Sequence, residues 1–116
     1  MDSILTSIKK MLGIEETYEH FDQELIISIN AILMVLQQIG VGPEEGYFIT
    51  GKEESWNILL GQYGGSVEAV KAYVYLKVRL LFDPPSNSFL IEAIERQIKE
   101  FEWRIRHEVE TEKGEV

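Results

Sequence analysis

The segment from Val67 to Phe82 is apolar on nearly every face and runs straight into Asp83-Pro84-Pro85. On a helical wheel its polar arc holds only Glu68, Lys71, Tyr75 and Arg79. A helix so poor in polar positions must pack on several neighbours, so it predicts the centre of a fold rather than a surface element. Proline lacks the amide and restricts the residue before it, so this helix has to end at the double proline. Ser66 is placed to cap its start.

The rest of the chain divides into helical blocks around that centre. Ser3 to Leu12 reads as a short amphipathic helix with Ile4, Ile8, Met11 and Leu12 on one face, stopped by Gly13. An acidic connector, Ile14 to His20, follows. Asp22 to Ile39 reads as a second helix, capped by Asp22 and ended by Gly40, with Leu25, Ile29, Ile32, Leu36 and Ile39 as its core stripe. Val41 to Gly51 is a loop whose Tyr47-Phe48-Ile49 patch tucks back on the core. Thr50 and Glu53 have capping-box spacing before a short helix with Trp56, Leu59, Leu60 and Tyr63 on one face. After the prolines, Ser86 or Ser88 opens a last helix to about Val109, with Leu90, Ile91, Ile94, Ile98, Phe101, Ile105 and Val109 as its stripe. Five helical blocks with short connections and no strand run predict an all-α bundle with a central hydrophobic helix and a long C-terminal one. One domain over 1–109 and a polar, flexible tail over 110–116 are expected.

Chain length fits a single core. For 116 residues and 13.4 kDa, surface scaling leaves roughly 6,500 Å² accessible of about 19,000 Å² in the unfolded chain. The balance of 11 Lys+Arg against 20 Asp+Glu, net −9, argues against a protein that grips phosphates through counterion release. It is compatible with a wall that DNA slides past. There is no cysteine, so disulfides, thiolate nucleophiles and zinc–thiolate sites are excluded. The longest apolar stretch, Leu25 to Leu36, is broken by Ser28 and Asn30, short of a membrane span. Lys9 and Lys10 follow the first apolar residues, the reverse of a signal peptide. A soluble, unexported protein with no membrane contact is expected.

Catalytic chemistry finds little to work with. His20 and His107 are the only histidines and neither has metal-ligand spacing. Gly61 to Gly65 lacks the Lys-Ser/Thr ending of a phosphate loop, and no serine sits in a nucleophile elbow. Glu15-Glu16, Glu44-Glu45 and Glu53-Glu54 read as solvated surface. No enzyme, no metal and no cofactor are expected.

Three features point instead to contacts with other chains. Lys77 lies opposite the polar arc of its helix, among Val70, Tyr73, Val74 and Leu81. Either its stem packs and its amine snorkels out, or it pairs with an acid of a neighbouring subunit. Trp103 falls off the apolar stripe, on an arc with Glu92, Arg96, Lys99 and His107. It is either covered by the first helix or an exposed anchor of the type interface hot spots favour. Ile27, Ala31 and Met34 form a second, weaker stripe on the second helix, a further core contact or a strip against another chain. Two such faces on a small all-α chain make self-association the natural expectation.

The string Ala69-Val70-Lys71-Ala72-Tyr73-Val74-Tyr75-Leu76-Lys77-Val78-Arg79-Leu80-Leu81-Phe82-Asp83-Pro84-Pro85, then Ser86-Asn87-Ser88-Phe89, Ile91-Glu92-Ala93-Ile94 and Ile98-Lys99-Glu100-Phe101-Glu102-Trp103-Arg104, resembles the small head–tail connector (adaptor) proteins of HK97-type long-tailed bacteriophages and prophages. The resemblance spans nearly the whole chain and is most specific over Ala69 to Arg104. It implies a ring of identical subunits, twelvefold in the virion, under the portal protein at the head–tail junction. DNA would pass without sequence-specific binding, and the next connector or tail component would dock on the ring. It places Trp103 to Val116 toward the portal. Tyr75, Arg79, Asp83, Pro84 and Pro85 match the signature and read as fold-forming. The Val41–Gly51 loop is the least family-like stretch, lining the tunnel or touching the tail. The other reading of the residues is a small helical regulator, antirepressor- or antitoxin-like, acting as a monomer or dimer.

Overall fold

A computed structural model of the chain describes residues 2–112. Five helices follow in order: α1 (Ile4–Leu12), α2 (Asp22–Ile39), α3 (Trp56–Leu60), α4 (Val67–Phe82) and α5 (Ser88–Glu112). The described residues form no strand; one isolated bridge joins Ser3 to Ser55.

α4 is the centre, as its composition requires. Val70, Tyr73, Val74 and Val78 are wholly buried. α2 and α5 both pack on α4, and α1 closes against α2 and α4. The Ser66 hydroxyl accepts from the Ala69 amide to start α4. At the other end Asp83 donates its amide to the Arg79 carbonyl at 2.8 Å, and the prolines then have no N–H to continue the ladder. Phe82 meets Phe21 edge-on at 5.2 Å, which ties this end to the start of α2.

α1 buries Ile4, Leu5, Ile8 and Lys9, so its inner face is turned from the expected one and Met11 is exposed. The cause is Lys9. Its ammonium donates to the Glu16 and Tyr18 carbonyls at 2.9 and 2.7 Å and pairs with Asp22 at 2.9 Å. The acidic connector is thereby wrapped around one buried cation. Asp22 is not the cap of α2: Phe21 holds that position without a side-chain bond. The core stripe of α2 is buried as expected, joined by Leu33. Gly40, at φ 112, turns left-handed and satisfies the last carbonyls.

The loop between α2 and α3 is held from inside. Asn30 donates to the Ile49 carbonyl at 2.9 Å and accepts from the Ile49 amide at 2.8 Å, with Ile49 itself buried. The Thr50–Glu53 capping box does not form. Thr50 donates to Glu54 instead, as does the Gly51 amide. Burial pushes the Glu54 carboxyl up, but these bonds outweigh it and hold the group below its ordinary value. Ser55 caps α3 by accepting from the Ile58 amide. Trp56 points inward and donates its indole N–H to the Ser7 hydroxyl at 2.7 Å.

α5 starts at Ser88, one of the two serines expected to open it, and its cap is Asn87, whose side-chain oxygen accepts from the Phe89 and Leu90 amides. Ile94, Ile98, Ile105 and Val109 are buried, but Leu90 stands exposed outside the stripe. The helix continues to Glu112, so residues 110–112 extend it instead of starting a tail; residues 113–116 lie outside the described residues. Two glutamates lock α5 down. Glu102 accepts from the Tyr73 hydroxyl at 2.9 Å. Glu108 accepts from the Tyr63 hydroxyl at 2.8 Å and from the Ser66 amide.

Candidate interaction surfaces

On α2, the residues opposite the core stripe are Glu24, Ile27, Ala31 and Met34, and all are exposed. Ile27 is 69% exposed and Met34 49%, so this stripe is open rather than a second core contact within the chain. The acids Glu15, Glu16 and Glu19 precede this helix, and Glu44 and Glu45 follow it, all exposed. Gln37 draws the Glu44 backbone in by donating to its carbonyl at 2.9 Å. From Met11 to Gly51 the chain has no lysine or arginine.

On α5, Arg96, Lys99, Trp103 and His107 recur at helical spacing opposite the buried stripe and are exposed. Trp103 is 68% exposed. α1 packs on α2 and α4 and does not cover the indole. The indole instead lies flat against the His107 ring, with centroids 5.3 Å apart. Arg106, one turn beyond Glu102, approaches it at 3.5 Å. The middle of α5 is therefore an aromatic ridge on which cations outnumber acids, Glu100 lying beside Arg96 and Lys99, on an otherwise acidic chain.

Lys77 is half-buried, with its ammonium 5.4 Å from the Tyr73 ring centroid. No carboxylate lies within ion-pair distance of it among the described residues. The aromatic face replaces part of the ammonium's lost hydration. The structure thus brings Arg96, Lys99, Trp103 and His107 onto one face, sets Ile27 and Met34 on a different helix, and leaves Lys77 half-buried on α4 beside the Tyr73 ring. Of the signature residues, Tyr75 packs against the core, Arg79 is half-buried and supplies the carbonyl that ends α4, and Asp83, Pro84 and Pro85 form the turn.

A third apolar patch escaped the sequence reading. Leu81, Phe89 and Leu90, on the two helix ends joined by the proline turn, are 64%, 80% and 53% exposed. The helical wheel places Leu81 and Leu90 on inner faces; only the reach of the neighbouring helices decides where an inner face stops being covered.

The concave features are shallow. One, about 290 Å³, is lined by residues including Gly42, Pro43, Ile58, Leu59, Tyr63 and Val109, with Tyr63 as its titratable group; a larger one, about 630 Å³, is lined by residues including Ser3, Ser7, Lys10, Glu16, Lys52 and Glu53. Among the described residues no cluster of three His, Cys, Asp or Glu could hold a metal ion. None of their helices is long and apolar enough to cross a membrane. The surfaces are suited to binding other chains through apolar anchors and charge.

Comparison with curated proteins and with solved structures returned no match. Comparison with protein families matched residues 4–112 to the model described as "Phage connector protein". That match takes in all five helices, the proline turn and both exposed ridges, and the chain belongs to the phage connector protein family.

Proposed function

We propose that this chain is the repeating subunit of a head–tail adaptor. Copies assemble as a ring beneath the portal protein, extend the channel through which DNA passes, and present a platform for the next connector or tail component. The ring is proposed to be twelvefold, with the end of α5 beyond His107 directed to the portal. The protein works without turnover, in the host cytoplasm during assembly and at the head–tail junction of the virion.

The observation that carries this reading is the family match over residues 4–112. The surface chemistry supports it: large apolar side chains stand exposed on α2, α5 and the proline turn. The net charge of −9 also fits, because a like-charged channel wall does not trap DNA. That charge opposes association of free subunits, so the portal serves as the template on which they gather.

The test is sedimentation and negative-stain microscopy of the purified chain with and without its portal protein. Closed rings seated on the portal are expected. A chain that stays monomeric or dimeric and ignores the portal would overturn the reading in favour of a small regulator.

A further inference from the structure

We propose that the subunits join head to tail, the cationic-aromatic ridge of α5 on one copy seating on the acidic-apolar ridge of α2 on the next. This rests on the ring reading and names the surfaces that would make it. The two ridges are complementary in charge and in apolar content. On α5, Arg96 and Lys99 precede Trp103 along the exposed face, with Glu92 and Glu100 as the acids there, and the indole is braced by His107. On α2, Ile27, Ala31 and Met34 form an open apolar strip beside Glu24. Exposed acids continue from both of its ends, Glu15, Glu16 and Glu19 before it and Glu44 and Glu45 after it, with no cation among them.

The dimensions match as well. At 1.5 Å per residue, residues 24–34 run about 15 Å and residues 96–107 about 17 Å. Trp103 is the large, rigid anchor around which such contacts form, and the surrounding charges fix register and exclude wrong partners. The apolar and acidic α2 ridge cannot complement itself, and the excess of cations over acids at the middle of α5 disfavours pairing of two α5 ridges. α4 carries the packing of both α2 and α5, and each ridge faces away from its own helix's core stripe. A surface that fits a different surface of an identical molecule gives a heterologous contact, which closes into a ring when the rotation permits.

The absence of cysteine allows a direct test. Copies carrying Ile27→Cys or Met34→Cys are mixed with copies carrying Lys99→Cys or Trp103→Cys, assembled on the portal, and oxidised. Disulfide-linked pairs are expected from the mixtures, several-fold above either variant alone and above a Lys52→Cys control. A second arm reverses charge. Arg96→Glu with Lys99→Glu weakens assembly by about tenfold or more, and Glu24→Lys in the same chain recovers part of it. Rings that form on the portal without mixed cross-links, or that tolerate the reversal, overturn this contact and leave the ring standing. Mixed cross-links in open, unclosed chains overturn the ring and leave the contact. Chains that neither assemble nor cross-link overturn both.

Discussion

Tyr73 and Glu102 form a hydrogen bond that makes the fold sensitive to alkali. The Tyr73 side chain is wholly buried, and its hydroxyl donates to Glu102. Burial first, then that bond and the carboxylate's charge, raise the phenol well above its ordinary 10.0, with Arg106 pulling slightly the other way. A raised value means the folded state holds the proton more tightly than the unfolded chain. The stabilisation is complete below the unfolded value and is lost as pH climbs through and beyond it. Wild type should therefore lose melting temperature between about pH 9 and 11 more steeply than Tyr73→Phe. Parallel curves for the two proteins would refute the linkage. Lys9 is the residue-scale feature that the sequence concealed. A lysine beside a second lysine near the start of a chain reads as surface, and only the fold shows it enclosed by two carbonyls and Asp22. Trp103 was legible in its position but not in its exposure, which the sequence left open between cover by the first helix and an exposed anchor. Its departure from a clean apolar stripe is visible on the wheel, and exposure follows when no other element reaches over it.

At the scale of the element, α4 was readable from end to end because its boundaries are enforced by chemistry that does not depend on neighbours. Ser66 has no competing cap residue beside it, and the double proline admits no continuation. The other helix starts were less legible, because several residues there are competent to cap and tertiary partners choose between them. Asp22 is drawn to Lys9 and gives up the cap of α2. Glu54, not Glu53, captures Thr50, which leaves Ser55 to start α3. At α5 the choice fell on Asn87, between two serines. Replacing Asn87 by Ala should cost about 1 kcal/mol, and the effect should be local, since Phe89 and Leu90 are exposed and add little tertiary hold. Hydrogen exchange is expected to quicken at the amides of Phe89, Leu90 and Ile91 in Asn87→Ala, and to stay unchanged in Ser86→Ala and Ser88→Ala. An unchanged first turn in Asn87→Ala would mean that another group serves as the cap.

For the whole molecule, two electrostatic effects of different range compete. The described body measures 43 × 36 × 19 Å on a chain of net charge −9. At about 0.01 M salt the screening length is about 30 Å, comparable with the width of a subunit, so neighbours feel each other's full negative charge. At about 0.1 M it falls to about 10 Å, and that repulsion is largely removed. Pairs between the α5 ridge and the α2 ridge act across direct contact and survive this screening, but at about 1 M, where the length is about 3 Å, they fade as well. Assembly of the free chain, followed by sedimentation, should therefore pass through a maximum at intermediate ionic strength. Trp103 and the Ile27–Met34 strip should leave a residual contact at high salt, because apolar burial is not screened. In the Arg96→Glu, Lys99→Glu chain the attraction is gone and the net charge is more negative, so its association should only rise with salt. A wild-type curve that rises without turning over would show that repulsion alone governs assembly and that the ridges do not attract.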